Sequence, residues 1–407
     1  MKQRVLVIGG GAAGMMSAGI AAQRGLDVHL FEKNDKLGKK IFISGKGRCN
    51  FTNASDITTI MENIIRNPYF LYSALYRFTN NDLIEFFNKL GVRSKIERGN
   101  RVFPKSDKSN DIVQALYKFL MYNGVTIHFN QKVDRVLVKN NKVEGIQLNS
   151  GEKVKGERII IATGGLSYPK TGSTGDGFKM AKELGHHIIK PLPSLVPIVI
   201  HEKWVKDLQG LSLKNIEMTL WEKNKKIKSE FGEMIFTHYG ISGPIILSLS
   251  AHMSPPYSKY LLSLNLKPAL TQDQLDLRLQ KDFKKYIRKQ FKNSLEDLLP
   301  KKIIPIIIKL SGIDGNKFVH QITKKEREKL VHLLQNINLS VTNLRPISTA
   351  IVTAGGIDTR EINPSTMESK LIKNLFFAGE VIDIHGLTGG FNLQIAFSTG
   401  YLAGINC

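Results

Sequence analysis

The sequence predicts an α/β fold, with a Rossmann-like nucleotide-binding domain that is assembled from both ends of the chain. The chain opens on strand, glycine turn and helix, and it returns to strands and glycine turns near residue 345. The intervening stretch alternates like antiparallel strands and then becomes helical. We therefore expect a nucleotide-binding domain at 1–193 and 346–407, a barrel-like β-rich domain at 194–275 and 331–345, and a helical domain at 276–330.

The first βαβ unit carries a glycine fingerprint. RVLVI is an apolar strand, AAGMMSAGIAAQR is a helix that stops at Gly25, and DVHLFE is a second strand. Between them, Gly9, Gly11 and Gly14 satisfy G-x-G-x-x-G, in which the glycines permit a tight turn, a close approach to a pyrophosphate and close helix–strand packing. Glu32 ends the second strand at about the spacing of a ribose-binding carboxylate. The unit predicts dinucleotide binding.

The middle of the chain predicts helices first and strands afterwards. NNDLIEFFNKLG and SNDIVQALYKFLMYNG read as helices that end at glycine, and VTIHF, KVDRVLV, VEGIQL and RIIIATGG read as strands of the parallel sheet and of a meander on it. Pro191, Pro193 and Pro197 mark a boundary. Beyond it, IPIVIHEK, NIEMTLW and YLLSLNL alternate like strands of a small barrel.

A basic helical stretch follows at 273–298. Its apolar residues recur at helical spacing and its cations line another side: Leu275, Leu279, Phe283, Ile287 and Phe291, against Lys281, Lys285, Arg288 and Lys292. Residues 276–345 hold 16 Lys and Arg against 7 Asp and Glu, a net charge of +9. The charge of the chain is therefore partly concentrated in this inserted segment.

Overall charge points to a polyanionic partner, nucleic acid first. The 407 residues carry a formal net charge of +23, and phosphate neutralisation by Lys and Arg supplies most non-specific affinity for nucleic acid. The alternative is a Lys-rich genome that raises the charge of every protein. Two cysteines, the absence of a signal peptide and the absence of a long apolar run predict a cytoplasmic protein without a membrane partner. No His, Cys or carboxylate spacing predicts a metal site.

The C-terminal region indicates that the dinucleotide is FAD. A second fingerprint for a nicotinamide cofactor is missing, whereas FFAGEV is a strand followed by Gly-Glu, and GLTGGFN opens a helix whose N-terminus can stabilise an anionic reduced flavin. ATGG, followed by TGSTGDGFKMAKELG, is similar to a pattern of flavoproteins related to fumarate reductase. Two incidental glycine turns are the alternative explanation of that last match.

The loop GKGRCNFTN, residues 45–53, is expected to cross the flavin ring. Its glycines allow backbone contact with the ring, and Arg48 and Asn50 could donate hydrogen bonds to flavin or substrate. Cys49 is a candidate proton donor or nucleophile, although a free cysteine is more often a small buried hydrophobic residue. The absence of a CxxC motif excludes a dithiol mechanism.

GGGAAG, GKGRCNFTN, RVFP with Ser106, ATGG, FTHYGISGP and FFAGEVIDIHGLTGGFNLQ occur in this order over nearly the whole chain. Together they resemble the bacterial FAD-dependent flavoprotein family that includes aminoacetone-oxidase-like proteins, a bile-acid dehydro-intermediate reductase and the ribosomal RNA (23S) dihydrouridine synthase. The resemblance implies an FAD domain interrupted by a β-rich and a small helical domain.

The resemblance also implies which residues bind FAD. Those expected at the ADP half are Gly9, Gly11, Ala13, Gly14, Glu32 and Val133. Those expected around the ribityl chain and the ring are Gly379, Glu380, Gly390, Asn392 and Leu393. The other expected cofactor contacts are Ala12, Lys33, Ser44, Gly45, Gly47, Arg48, Asn50, Thr163, Gly164 and Phe391. The resemblance does not identify the catalytic acid.

His238 and Tyr239 in FTHYGISGP join Cys49 as catalytic candidates, because histidine is a natural proton donor near neutral pH. A histidine that only caps or fills a domain interface is the alternative for His238, and His385 in DIHG stands equally open.

Three functions compete. The first is an NAD(P)H-driven reductase that uses flavin N5 to deliver hydride to a uracil C5=C6 bond in large-subunit ribosomal RNA. The second is a small-molecule oxidase or reductase with an aminoacetone-like or steroid-like substrate. The third is an FAD-dependent RNA-binding or assembly factor without catalysis.

Overall fold

The computed structural model describes residues 3–407, which form two compact units. The first unit contains residues 3–194 together with 346–407, so both ends of the chain belong to it. The second unit is Leu195–Arg345. No helix of the described residues is long and apolar enough to cross a membrane.

The elements are numbered along the chain. The strands up to residue 194 are β1 Arg4–Ile8, β2 Asp27–Phe31, β3 Thr52–Asn53, β4 Ile64–Arg66, β5 Ser94–Glu97, β6 Arg101–Pro104, β7 Thr126–His128, β8 Val133–Lys139, β9 Lys142–Leu148, β10 Lys153–Lys155, β11 Arg158–Ile161 and β12 Ile188–Ser194. The helices of the same region are α1 Ala12–Gln23, α2 Lys39–Ile43, α3 Ile57–Glu62, α4 Tyr72–Arg77, α5 Asn80–Lys89, α6 Ser109–Tyr122 and α7 Asp176–Glu183.

The remaining elements belong to the second unit and to the C-terminal part of the first. The second unit contains β13 Ile198–Ile200, β14 Ser212–Glu222, β15 Lys225–Thr237, β16 Gly240–Ser242, α8 Pro244–Ser250, β17 Tyr260–Asn265, α9 Gln272–Lys285, α10 Ile304–Ser311, α11 Lys324–Gln335 and β18 Ile337–Leu344. The chain then ends with β19 Val352–Ile357, β20 Leu375–Phe377, β21 His385–Gly386 and α12 Phe391–Asn406.

A five-stranded parallel sheet forms the centre of the first unit, in the order β20-β11-β1-β2-β7. Strands β1, β11 and β20 are almost wholly buried, as expected of a parallel sheet that is covered on both faces. Because β20 comes from the C-terminal part of the chain, the central sheet contains strands from both ends of the chain. The predicted fold class is confirmed.

Helices α1 and α12 pack together with almost no space between their backbones. A Cβ atom added at Gly400 would lie 2.5 Å from the carbonyl oxygen of Ala13, and one at Gly404 would lie 2.8 Å from that of Ser17. Small residues on both helices therefore permit this approach, which joins the N-terminal βαβ unit to the C-terminal helix.

Smaller sheets surround the central one. Strands β8, β9 and β10 form the predicted antiparallel meander, and β5, β6 and β3 form another three-stranded sheet. Pro191 and Pro193 lie inside β12, which pairs only with β19 and is interrupted by a register shift. Proline is tolerated in such edge strands.

The second unit contains a closed six-stranded sheet in the order β13-β16-β15-β14-β17-β18. Burial alternates along β17, where Tyr260, Leu262 and Leu264 point inward. Helices α9 to α11 follow on from the sheet. Helix α9 starts at a capping box on Thr271 and ends at Lys285, short of the predicted apolar position at Ile287.

Candidate active site

A cavity opens at the carboxyl ends of the central parallel strands. It is bordered by the residues that end or follow β1, β2, β11 and β20, among them Ile8, Phe31, Ala162 and Ala378. Ligands of open α/β sheets bind in this crevice. Of the expected cofactor contacts, the cavity is lined by Gly9, Gly11, Ala12, Ala13, Glu32, Lys33, Ser44, Val133, Thr163, Gly164, Gly379, Glu380, Asn392 and Leu393.

The three fingerprint glycines differ in what surrounds them. Gly9 has a φ of 105°, a left-handed conformation that favours glycine. A Cβ atom at Gly14 would lie 1.8 Å from the carbonyl oxygen of Gly9, so this glycine lets α1 pack against the turn. A Cβ atom at Gly11 would meet no protein atom within 4 Å, and this residue faces the cavity. The backbone at Gly11 is therefore open to a bound group.

The first turn of α1 presents backbone donors to the cavity. Gly11 occupies the N-cap without a side-chain cap, and Ala12 and Ala13 line the cavity. The first N–H groups of a helix have no acceptor within the helix, and they carry its positive dipole end. This donor set suits a pyrophosphate.

Glu32 is fixed at the wall of the cavity and is only 8% exposed. One carboxylate oxygen accepts from the backbone N–H of Gly10 at 2.8 Å, and the other accepts from the backbone and side-chain N–H groups of Asn34 at 2.8 and 2.6 Å. A carboxylate offers about four acceptor positions. Glu32 therefore keeps acceptor capacity for a sugar hydroxyl.

Glu380 is the centre of a partly buried polar network that lines the cavity. Its carboxylate accepts from Lys40 Nζ at 2.6 Å, Ser167 Oγ at 2.9 Å and the backbone N–H of Thr353 at 2.8 Å. Burial raises the pKa of Glu380, but the charge and hydrogen bond of Lys40, with the other donors, outweigh it, so the net pKa is lowered. The carboxylate is ionised at neutral pH. Lys40 also lines the cavity, and sequence reasoning missed it.

The start of α12 forms a second helix N-terminus at the cavity. Gly390 takes the N-cap with a φ of 101°, and a Cβ atom there would lie 2.2 Å from the carbonyl oxygen of Thr52. The side chain of Asn392 is occupied by the preceding loop, since it exchanges hydrogen bonds with the backbone of Gly386 and donates to Leu387. Backbone donors of this turn, rather than the Asn392 amide, are thus available to a ligand.

Arg48 in the loop GKGRCNFTN is held by protein groups. Its guanidinium donates to both carboxylate oxygens of Glu97 at 2.8 and 3.1 Å, pairs with Asp107 at 3.1 Å and lies 4.0 Å from the ring centroid of Phe103. Of the nine loop residues, none lines the cavity, which is reached instead by the preceding residue, Ser44. Arg48 therefore anchors the loop to Glu97 and Asp107.

Cys49 is fully buried within the hydrophobic core of the first unit. Burial raises the pKa of its thiol to about 12, with a small opposing contribution from Ser44. The thiol is therefore neutral at physiological pH. Its catalytic role stays a prediction.

Thr163 Oγ1, on the cavity wall, and Asn50 Oδ1 are among the buried polar atoms of the first unit that have no hydrogen-bond partner in the described chain. A buried hydroxyl without a partner is costly unless a bound group supplies one. The residues that line the cavity fit a dinucleotide: two helix N-termini for its phosphates and ring, and Glu32 for a sugar.

His238 and Tyr239 lie in the second unit, in the turn between β15 and β16. His238 is exposed, and its ring packs edge-on against Tyr239 with centroids 4.8 Å apart. The guanidinium of Arg345 lies 4.5 Å from the ring centroid of Tyr239. In the first unit, His385 is buried in β21. The catalytic roles of these residues stay predictions.

A family model, the HI0933-like protein Rossmann domain, matches residues 3–406. The chain belongs to this family. It is 32% identical over 396 residues to the ribosomal RNA dihydrouridine synthase of Escherichia coli (strain K12), covering 97% of this chain and 96% of that protein. It is 29% identical over 407 residues to the 3-dehydro-bile acid delta(4,6)-reductase of Clostridium scindens, covering 98% of each.

The fold is also found in a solved structure. The 3-ketosteroid-delta4-(5alpha)-dehydrogenase from Rhodococcus jostii RHA1 shares it with a TM-score of 0.51, at 13% identity, over 100% of this chain and 96% of that one. The family assignment confirms the predicted class: the chain is a flavoprotein oxidoreductase, and FAD is the cofactor that its cavity suits.

Proposed function

We propose that the protein is an NAD(P)H-driven, FAD-dependent reductase of a uracil C5=C6 bond in large-subunit ribosomal RNA, that is, a dihydrouridine synthase. The observation that carries the proposal is the nearly full-length similarity to the E. coli ribosomal RNA dihydrouridine synthase. The net charge of +23 supports it, because a folded RNA must be held by its phosphates while one base is extruded. Such a substrate would place the enzyme in the cytoplasm.

The cofactor would be held by the cavity described above. Backbone donors at Gly11, Ala12 and Ala13 would bind the pyrophosphate, and Glu32 would accept from the ribose. The start of α12 would face the flavin ring, and Glu380 would accept from the ribityl chain while Lys40 and Ser167 hold its carboxylate in place. FAD, when bound, supplies the hydride that reduces the C=C bond.

The chain itself must supply a proton to C5 of the uracil. Cys49, His238 and Tyr239 are the candidate acids. Burial raises the pKa of the Cys49 thiol to about 12, far from neutral pH, which disfavours this group as the proton donor. The exposed imidazole of His238 is the donor that substitution should examine first.

A small-molecule substrate is the second candidate function. The similarity to the C. scindens bile-acid reductase, at 29% identity and 98% coverage, favours a steroid-like enone. Both reactions reduce a polarised C=C bond, so the cavity alone does not discriminate between them. Charge favours RNA, because a steroid requires no extended cationic surface.

Mapping dihydrouridine in ribosomal RNA tests the proposal. We expect one site to be lost from the large-subunit RNA of cells that lack the gene, and restored by the intact gene. Purified enzyme with NADH or NADPH should then introduce dihydrouridine into RNA from the deletion strain. If every site survives the deletion and purified enzyme reduces a 3-keto-Δ4,6 steroid, the second function replaces the first; aminoacetone turnover with peroxide release would be assayed next.

A further inference from the structure

Two short segments of the second unit meet beyond the end of α9. The backbone N–H of Phe291 donates to the carbonyl oxygen of Lys317 at 2.8 Å, and that of Val319 donates to Lys289 at 3.0 Å. Gln290 and Phe318 form an antiparallel bridge between these bonds. The pairing brings residues 287–290 beside residues 317–320, although about thirty residues separate them in sequence.

This junction exposes apolar and aromatic side chains that a helical core should bury. The ring of Phe318 is 43% exposed and Ile287 is 50% exposed. Phe318 and His320 stack at an interplanar angle of 24°, with centroids 5.8 Å apart. Phe291 and Val319, from the same two segments, are buried in the core. The exposed rings are therefore not required for packing.

Several cations near this junction have no carboxylate partner. Residues 281–292 contain six Lys and Arg and one Asp, and that residue, Asp282, is buried and paired with Arg278 at 2.9 Å. Lys285 pairs with Asp297 at 2.6 Å. In the part of the chain that the structure describes, Lys284, Arg288 and Lys289 have no carboxylate within 4.0 Å. Their charges are free to meet an anion.

We propose that this surface, the basic–aromatic patch, binds a single-stranded or loop segment of the RNA substrate. The patch is defined by Lys284, Ile287, Arg288, Lys289, Phe318 and His320. Its cations contact phosphates, and a base stacks on the Phe318 and His320 rings, a combination that is typical of proteins that bind unpaired RNA. The inference rests on the proposed function, which supplies the RNA.

Charge and ring exposure together select this partner. A helical RNA duplex offers phosphates but keeps its bases stacked, so it would use the cations and leave Phe318 unused. An anionic membrane would also attract the cations, but one exposed aliphatic and one exposed aromatic side chain give little apolar area to insert. An unpaired RNA segment uses both features.

The test compares three variants of the full-length holoenzyme on transcribed large-subunit ribosomal RNA. Phe318→Ala removes the stacking ring, and Arg288→Ala with Lys289→Ala removes two cations. The matched control is Lys118→Ala with Tyr122→Ala, which removes a cation and a 91% exposed aromatic ring one turn apart on α6 of the first unit. Circular dichroism and flavin content report whether each variant is folded.

We expect Phe318→Ala to weaken RNA binding by about 5- to 150-fold, the value of one stacked base, and to raise the KM for RNA likewise. Loss of two phosphate contacts should reduce the slope of log affinity against log salt by roughly 1.4. The control should bind as the unaltered protein does. A duplex of equal length should be insensitive to Phe318→Ala.

Three results would overturn the inference while leaving the proposed function standing. In the first, the unaltered enzyme modifies RNA and both patch variants bind RNA with unaltered affinity. In the second, the control variant loses as much RNA affinity as the patch variants do. In the third, the patch binds vesicles of anionic lipid more tightly than it binds RNA. If the unaltered enzyme neither binds nor modifies ribosomal RNA, the proposed function itself fails and this inference fails with it.

Discussion

Alanine at Gly11 and alanine at Gly14 should damage the protein in different ways, although both remove a fingerprint glycine. At Gly14 the added methyl group would lie 1.8 Å from the carbonyl oxygen of Gly9, far below the 3.0 Å that real Cβ atoms essentially always keep. The obstructing atom belongs to the backbone, so the turn itself must move. At Gly11 the methyl group meets no protein atom and projects where a pyrophosphate would approach.

The magnitudes follow from these surroundings. Overpacking in a core costs about 1–3 kcal/mol, and the backbone clash places Gly14→Ala at about 3 kcal/mol or more. At Gly11, φ is −84° and ψ is −169°, a conformation open to alanine. Alanine is a poorer N-cap than glycine, which destabilises the folded state, but it also restricts the unfolded chain, which stabilises the folded state. Because these effects nearly cancel, the free energy of unfolding should change by less than about 1 kcal/mol. FAD affinity should nevertheless fall at least about tenfold, or 1.4 kcal/mol.

Urea unfolding of the flavin-free protein measures the first quantity, and titration of FAD fluorescence measures the second. Gly14→Ala should lose stability before any flavin is added, whereas Gly11→Ala should unfold normally and bind FAD weakly. FAD binding by Gly11→Ala at unaltered affinity would refute the assignment of this glycine to the pyrophosphate. Unaltered unfolding of Gly14→Ala would refute the packing argument.

Two further substitutions examine the buried Cys49 and the partly buried Glu380. Cys49→Ala should lower the free energy of unfolding by about 1 kcal/mol, because it deletes a buried sulfur. It should preserve the turnover per bound flavin. If turnover falls more than about 100-fold while flavin is retained, the thiol is the catalytic acid. Glu380→Gln should destabilise the protein at neutral pH, because Lys40 loses its ion pair. The folded pKa of Glu380 is below the ordinary glutamate value of 4.5, so the wild-type advantage is present above about pH 4.5 and is lost as pH falls through the folded pKa. Urea unfolding from pH 7 down to about pH 3 measures this loss, and a difference that grows on acidification would contradict the lowered pKa.

Local pattern was sufficient to predict the fold class. The apolar runs that became β1, β11 and β20 read as buried strands, and the glycine turns after them marked the carboxyl edge of the sheet. The prediction was weaker at element ends. Ile287 continued the helical apolar spacing of Leu275, Leu279 and Phe283, but α9 ends at Lys285 and the side chain is half exposed. Periodicity does not reveal where a chain turns to pair with a segment thirty residues away.

The site was predictable where its residues act through backbone. Gly9, Gly11 and Gly14 are recognised by spacing alone, because a glycine pattern encodes a turn shape. Lys40 gave no comparable signal. It follows Gly38 as one of two adjacent lysines, and its partner Glu380 is 340 residues away. A long-range ion pair between two parts of the chain cannot be read from either part.

The loop GKGRCNFTN combines both situations. Its unusual composition suggests direct chemistry, with a cysteine and an arginine among glycines, but in the structure the arginine is neutralised by Glu97 and Asp107 and the thiol is buried. Both side chains therefore hold the shape of the loop, whose backbone is left-handed at Gly45, Gly47 and Cys49. Since Ser44 immediately before the loop lines the cavity, the same contacts also fix the position of a cavity wall. A substitution at Arg48 would then act on the cofactor through the backbone, by shifting Ser44 at the cavity wall.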